Sequence, residues 1–161
     1  MFLWFVVLAP VVVAEVFRSP LVDYRLVALG AALPLVEVAS GYMVGFHTLL
    51  APVVVLAAVM GGTAGRQRLL RRRLLGIPIG MFVHLVLDGT WTSTALFWWP
   101  ALGIELEAHL VPEQAAALWL RLGSEVVAIG VLVWAWKRYE LEDKKNRTLL
   151  MSRGHLARGV V

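Results

Sequence analysis

Five apolar segments, each close to the length that crosses a lipid bilayer, dominate this 161-residue chain. They cover approximately residues 1–17, 26–43, 45–62, 74–91 and 115–136. A hydrocarbon core of about 30 Å needs about 20 apolar residues in helical form. The sequence therefore predicts an all-α fold: a polytopic membrane helical bundle of about five transmembrane helices, with an interfacial segment after the fourth.

The composition agrees with a membrane location. Hydrophobic residues make up 60% of the chain, whereas ordinary soluble domains contain about 45 to 50% apolar residues. The first segment lacks the basic start and the small-residue cleavage site of a secretory signal peptide, so we interpret it as a retained span. The absence of cysteine from the sequence excludes disulfides and thiolate metal sites, which leaves His, Asp and Glu as possible metal ligands.

Basic residues lie in two blocks that predict the orientation of the chain. Five arginines fall between residues 66 and 73 and seven lysines and arginines follow residue 136, whereas the charged residues of 91–113 are all acidic. Because cytoplasmic loops carry the excess of Lys and Arg, the linker and the C-terminus are predicted to be cytoplasmic and the 91–113 loop to be outside. Threading five spans through this pattern places the N-terminus outside and the protein in the plasma (inner) membrane.

These assignments divide the chain into a transmembrane helical domain, residues 1–136, and a cytoplasmic basic tail, residues 137–161. The tail is polar and mixed in charge, so we expect a short continuation of the last helix followed by disorder, with no special role for His155. The net charge of +4 is concentrated beside apolar segments. There, membrane lipids with anionic headgroups are the expected partner, and nucleic acid is not.

Four ionisable residues fall within the predicted spans at similar depth. Glu37 lies near the outer end of the second span and His47 near the start of the third. His84 and Asp88 lie near the outer end of the fourth span, four residues apart, and so share one helical face. Ionisable groups in a membrane are costly and usually face a cavity or one another. We predict that the four residues bind one divalent metal ion, zinc or manganese.

Each of these residues also has a structural explanation. A histidine near a membrane interface often forms hydrogen bonds that pack helices together. Asp88 precedes a stretch with the composition of a turn or helix start, which it would be able to cap. Glu37 would be able to reach the headgroup layer.

The same residues lie in three motifs. "PLVE" at 34–37 ends with Glu37, "GYMVGFHTLL" at 41–50 contains His47, and "GMFVHLVLDGTWTSTALFWWP" at 80–100 contains His84 and Asp88. In order and spacing these motifs resemble those of the membrane-bound metal-dependent hydrolase family, the YdjM-like inner-membrane proteins. The resemblance covers roughly residues 30–100 and implies a metal-assisted hydrolytic reaction.

The chain departs from the family pattern at two positions. Leu35 stands where the family has an acid, and Tyr42 stands where it has a histidine. The remaining quartet is still able to support chemistry, because a divalent ion lowers the pKa of a bound water toward about 7 and polarises a phosphoryl or acyl oxygen. Glu37 and Asp88 are the candidate catalytic carboxylates, as ligands or with one of them as general base. A site at the outer interface would suit a lipid-linked substrate, cleaved at a phosphoester or another headgroup bond.

Two further charges, Arg121 and Glu125, are four residues apart in the fifth predicted span. Their spacing is typical of an internal ion pair that fastens the span to the bundle. The alternative is that Arg121 binds a substrate phosphate by bidentate hydrogen bonds. We assign Glu15 to a local pair with Arg18.

Two other function classes fit part of the pattern. One is a non-catalytic membrane subunit that keeps the hydrolase-like fold and stabilises a membrane-protein partner or forms a homo-oligomer. The small size, the lack of a separate soluble domain and the two missing motif positions favour it. The other is a transporter or channel component, which is disfavoured because the sequence has no visible inverted repeat or paired broken helices. The leading hypothesis is a metal-dependent hydrolase at the extracytoplasmic face.

Overall fold

The computed structural model describes residues 1–40, 45–65, 67–104 and 116–157. The regular elements in these ranges are all helical, which confirms the predicted all-α class. The helices are α1 (Phe2–Phe17), α2 (Tyr24–Ala32), α3 (Leu35–Ser40), α4 (Leu50–Gly62), α5 (Arg68–Leu74), α6 (Gly76–Asp88), α7 (Thr94–Phe97), α8 (Leu118–Arg138) and α9 (Lys144–Arg153), with a 3-10 turn at Thr90–Thr92 between α6 and α7.

Within the described residues, one helix is long and apolar enough to cross a bilayer: α8, with 21 residues. The apolar helices α1 and α4 have 16 and 13 residues, which is short of the roughly 20 that a hydrocarbon core requires. The five predicted segments thus correspond to helical regions, but only α8 has the length of a full span. The polytopic arrangement stays a prediction.

The second predicted span, 26–43, is interrupted. Helix α2 ends at Ala32 and α3 begins at Leu35, with Leu33 and Pro34 between them. Proline has no N–H to continue the hydrogen-bond ladder of a helix. Residues 41–43 of that span lie outside the described part of the chain.

Helices α2 and α6 meet backbone to backbone because glycines face the contact. A Cβ atom at Gly80 would meet the carbonyl oxygen of Val27 and lie 2.9 Å from the backbone nitrogen of Ala31. A Cβ atom at Gly76 would lie 3.0 Å from the carbonyl oxygen of Asp23. Small residues allow this close approach between helices, and it fixes α6 against the whole length of α2.

The core lies where α1 crosses α2 and α6. Phe5, Ala9 and Val13 of α1 pack in one cluster with Val27 and Ala31 of α2, and all five are fully or almost fully buried. Burial of such side chains supplies most of the favourable free energy that holds helices together in water. The contact of α1 with α2 places the start of α1 beside the end of α6, where the predicted site residues are.

The C-terminal tail is ordered between Lys144 and Arg153, so the predicted disorder is wrong for this segment. Asp143 caps α9 by accepting a hydrogen bond of 2.8 Å from Lys145 N. Gly154 ends the helix in the left-handed conformation, at φ 73°, and its carbonyl oxygen accepts a hydrogen bond of 2.8 Å from Tyr24 N. The tail therefore docks on the start of α2, a tertiary contact that composition alone does not indicate.

Asp23 connects this docked tail to two other segments. Its buried carboxylate accepts hydrogen bonds from Arg25 at 3.2 Å and from Arg73 of α5 at 3.4 Å. Burial raises the pKa of this carboxyl, but the hydrogen bonds and positive charges of the two arginines lower the pKa more, so it lies below its ordinary value. Arg25 also donates a 2.7 Å hydrogen bond to the carbonyl oxygen of Met151, and His155 Nδ1 lies 3.1 Å from the carbonyl oxygen of Val22.

The predicted interfacial segment after α6 folds as the short 3-10 turn followed by α7. Leu96 of α7 is fully buried. The carbonyl oxygen of Phe97 accepts a 2.9 Å hydrogen bond from Leu49 N, at the start of α4. The segment therefore packs two residues away from His47, one of the predicted ligands.

Candidate metal centre

His84 is held in the core by groups from two other helices. It is fully buried, its ring stacks on Phe5 of α1 with centroids 3.8 Å apart, and its Nδ1 lies 2.7 Å from the carbonyl oxygen of Ala31 in α2. A carbonyl oxygen only accepts hydrogen bonds, so Nδ1 carries the proton and Nε2 has a free lone pair. The glycine contact at Gly80, one helical turn earlier, is what brings the Ala31 carbonyl within reach.

His47 is held in the same manner by a carboxylate. It lies in the turns before α4, is fully buried, and has its Nδ1 2.6 Å from Glu37 Oε2. The Glu37 carboxylate also accepts hydrogen bonds from the backbone nitrogens of Phe46 at 2.7 Å and His47 at 3.2 Å. With Nδ1 donating to the carboxylate, the lone pair of His47 is on Nε2. Metal-binding histidines are commonly oriented by such a carboxylate partner.

The two imidazoles converge. Their ring centroids are 5.3 Å apart at an interplanar angle of 73°. Both Nε2 atoms are buried, and neither has a hydrogen-bond partner in the part of the chain that the structure describes. Buried polar atoms in proteins are nearly always hydrogen-bonded, so two orphaned lone pairs in one place indicate a ligand.

Asp88 completes a group of three. One potential ligand atom from each of His47, His84 and Asp88 lies within 4.8 Å of the others, a grouping that is able to hold a metal ion. Asp88 is the last residue of α6, is half-buried, and accepts a 2.9 Å hydrogen bond from the Thr90 hydroxyl through Oδ2. Gly89 follows it in the left-handed conformation at φ 73° and turns the chain away. We call His47, His84 and Asp88 the metal trio.

Glu37 lies next to His47 in the structure, and its role as a metal ligand stays a prediction. It lies behind His47 and contacts Nδ1 of that residue, whereas the grouping of potential ligand atoms contains only the metal trio. The predicted depth of Glu37 in the membrane correctly placed it near the two histidines. Depth does not say which atom a side chain contacts. The partners of His84 and Asp88, the Ala31 carbonyl and the Thr90 hydroxyl, were missed because a backbone carbonyl or a single threonine carries no signal in the sequence.

Arg121 and Glu125 lie near the start of α8, outside the metal trio. Glu125 contacts α1, where its Oε2 accepts a 3.1 Å hydrogen bond from Leu3 N. The fastening of the last span to the bundle, predicted for the Arg121 and Glu125 pair, is thus made by Glu125 through the backbone of α1. Arg121 is half-buried.

Glu15 has other partners than the predicted Arg18. Its Oε1 accepts a 3.0 Å hydrogen bond from the Tyr139 hydroxyl and lies 3.9 Å from Nε of Arg138. These contacts join the end of α1 to the end of α8.

A cavity of about 420 Å³ reaches the metal trio at Asp88. It lies between the start of α1, the end of α6 and the first half of α8. Its lining residues are Met1, Trp4, Leu87, Asp88, Ala116, Trp119, Leu120, Gly123, Ser124 and Val127. The predicted phosphate-binding residue Arg121 is not among these described lining residues.

Comparisons with known proteins identify no relative. No protein family, no curated protein and no solved structure matches the chain. The resemblance to the membrane-bound hydrolases stays a prediction from the motifs, and the function is argued from the geometry of the site.

Proposed function

We propose that this protein is a membrane-embedded, metal-dependent hydrolase that acts at the extracytoplasmic face on a lipid-linked substrate. The observation that carries the proposal is the pair of buried Nε2 atoms of His47 and His84, which have no protein hydrogen-bond partner in the described residues and belong to imidazoles that group with Asp88. Two imidazoles and a carboxylate are ligands that zinc and manganese accept.

The surroundings of the metal trio fit a divalent cation. Two carboxylates, Glu37 and Asp88, lie in a buried or half-buried environment next to two imidazoles. A bound dication would interact favourably with this negative charge. Nδ1 of each histidine already donates a hydrogen bond that orients its ring and leaves Nε2 available to a ligand.

The residues divide the chemical work as follows. A divalent ion held here would supply a water of lowered pKa and would polarise the bond to be cleaved. His47, His84 and Asp88 would hold it, and three protein ligands leave a position for water or substrate. Glu37 orients His47 through Nδ1. The substrate bond that fits best is a phosphoester or another headgroup ester, since the cavity at Asp88 is otherwise mainly apolar. Arg121 remains the predicted phosphate-binding residue, within one turn of Ser124.

The proposed orientation, with the N-terminus outside and the C-terminus cytoplasmic, is supported by where charged segments meet. Arg25, Arg73 and the docked tail surround Asp23 beside Gly76, the first residue of α6. Asp88 is the last residue of α6, roughly 18 Å away at 1.5 Å per residue. The linker and the tail, both predicted to be cytoplasmic, thus converge at one end of α6, and the metal trio lies at the other.

Cysteine labelling tests this topology in a chain that has no native cysteine. Single cysteines at Trp91 and Glu107 are expected to react with an impermeant thiol reagent in intact cells. Cysteines at Arg68 and Lys144 are expected to react only after permeabilisation. The reverse pattern would place the metal trio at the cytoplasmic face and contradict the extracytoplasmic site.

Hydrolysis by the purified protein tests the proposed activity. The protein, stripped with a chelator, is expected to cleave methyl p-nitrophenyl phosphate only after zinc or manganese is restored. His84→Ala should lose this activity by more than the 10- to 100-fold that is typical of losing an outer partner of a metal ligand. His155→Ala, a histidine outside the site, is the matched control and should retain it. Equal activity in both variants would refute the proposal.

The non-catalytic subunit is the second candidate, and the exposed surface of α8 favours it. Trp119 is 71% and Val126 is 68% exposed, and most of the apolar side chains of this helix lie on the surface of the protein chain. A protein that binds metal, shows no hydrolysis with any ester and is isolated with a stoichiometric membrane partner would be this subunit.

A further inference from the structure

The cavity at Asp88 has two chemically different parts. Among its described lining residues, Asp88 and Ser124 provide the polar side chains. The other side chains that line it are aliphatic or aromatic and include the indoles of Trp4 and Trp119. A ligand that fits such a cavity is polar at one end, where the metal trio lies, and apolar over the rest of its length.

Helix α8 contributes more of the described lining residues of the cavity than α1 or α6 does. Its lining residues run from Trp119 to Val127, which corresponds to roughly 12 Å at 1.5 Å per residue. On α6, by contrast, only Leu87 and Asp88 at the end of the helix contribute. The apolar part of the cavity therefore lies mainly against the first half of α8, the helix whose length and composition suit a bilayer.

We propose that this cavity binds the hydrocarbon tail of the substrate, with the headgroup ester at Asp88. The inference rests on the proposed hydrolase function and narrows its substrate to a phosphate ester with one long alkyl or prenyl chain. The tail would lie against Trp4 and Trp119 and enter from the bilayer between α1 and α8. A larger groove of about 510 Å³ between α1, α4 and α6 is lined by apolar residues only and contains no member of the metal trio, so it lacks a place for the headgroup.

Two glycines of α8 provide a matched pair of variants. A Cβ atom at Gly123 or at Gly130 would have no other atom within 4 Å, apart from the neighbouring backbone of the helix. Gly123 lines the cavity and Gly130 does not. Gly123→Phe should therefore fill the cavity without a backbone clash, and Gly130→Phe makes the same change seven residues further along the same helix.

Binding of the hydrocarbon tail can be measured by fluorescence in the metal-free protein, in which no substrate is hydrolysed. Dodecyl phosphate with a terminal bromine quenches tryptophan fluorescence, and the cavity contains two of the seven tryptophans of the chain. Saturable quenching is expected for the native protein and for Gly130→Phe, with an apparent Kd at least tenfold weaker in Gly123→Phe. Equal thermal stability of the two variants shows that both are folded. If Gly123→Phe is unfolded, the smaller substitution Gly123→Leu takes its place.

Turnover gives a second, independent comparison. With restored metal, dodecyl p-nitrophenyl phosphate should have a KM at least 100-fold below that of the methyl ester, because each buried methylene strengthens binding by roughly fourfold. Gly123→Phe should raise the dodecyl KM at least tenfold, whereas Gly130→Phe should leave it unchanged.

Three results would overturn the tail-binding inference. The first is quenching that is equal in Gly123→Phe and Gly130→Phe, which places the tail elsewhere, for example in the larger groove. The second is equal quenching by a brominated phosphatidylcholine, which shows that bulk lipid occupies the cavity. The third is a KM that does not depend on chain length. If the protein binds the bromododecyl phosphate at Gly123 but hydrolyses no ester, the tail-binding inference is supported and the proposed hydrolase function is contradicted.

Discussion

His47→Ala and His84→Ala are each expected to abolish stoichiometric binding of zinc or manganese. Both side chains are fully buried, and each presents an Nε2 atom without a hydrogen-bond partner in the described residues. Removing either imidazole leaves two members of the metal trio, which is fewer than the three protein ligands of a typical catalytic zinc site. Metal analysis of the purified proteins after dialysis measures the effect, with His155→Ala as the control that should keep the ion.

Glu37→Gln should give an intermediate result that separates a positioning residue from a ligand. Its carboxylate contacts Nδ1 of His47 and two backbone nitrogens, so an amide of the same shape keeps the fold but weakens the hold on the ring. Outer partners of this kind typically change metal affinity by 10- to 100-fold. Complete loss of metal in Glu37→Gln would make Glu37 a ligand, as the quartet predicted. Full retention of metal in either histidine variant would contradict the proposed metal site.

The sequence predicted the members of the site better than their roles. The four-residue spacing of His84 and Asp88 places both on one face of α6, and the structure indeed brings His47 to the same place. Spacing and depth carry this information because an α-helix has a fixed geometry. Neither tells which side chain offers a ligand atom and which supports a neighbouring ligand. Glu37, predicted as a ligand, is the hydrogen-bond partner of His47 Nδ1.

Other departures have physical causes of the same kind. Pro34 interrupts the second predicted span, although average hydropathy over the segment is high, since hydropathy ignores the missing N–H. The docked tail depends on Gly154, Tyr24 and Arg25, which are far apart in the chain. Glu15 contacts Tyr139 rather than its neighbour Arg18 for the same reason. Contacts between distant residues are set by packing, and a single sequence does not reveal them.

Gly80→Ala is expected to destabilise the protein and to weaken metal binding together. A Cβ atom at Gly80 would meet the backbone of Val27 and Ala31, and backbone atoms cannot turn aside as a flexible side chain can. The helices must separate, which typically costs about 1–3 kcal/mol and shifts Tm by roughly 2–4 °C for each kcal/mol in a chain of this size. This loss of folding free energy should exceed the gain of about 1 kcal/mol that alanine, as a better helix former than glycine, provides.

The consequence for the metal follows from the position of Ala31. Its carbonyl oxygen holds Nδ1 of His84 at 2.7 Å, so a wider gap between α2 and α6 lengthens this hydrogen bond and frees the ring to turn. We therefore expect a metal affinity lower by about 10- to 100-fold in Gly80→Ala, as for other lost outer partners. Gly130→Ala is the control, because a Cβ atom there has open space and gains only helix propensity. If Gly80→Ala were as stable as Gly130→Ala and bound metal as tightly, the backbone contact of α2 with α6 would not be what positions His84.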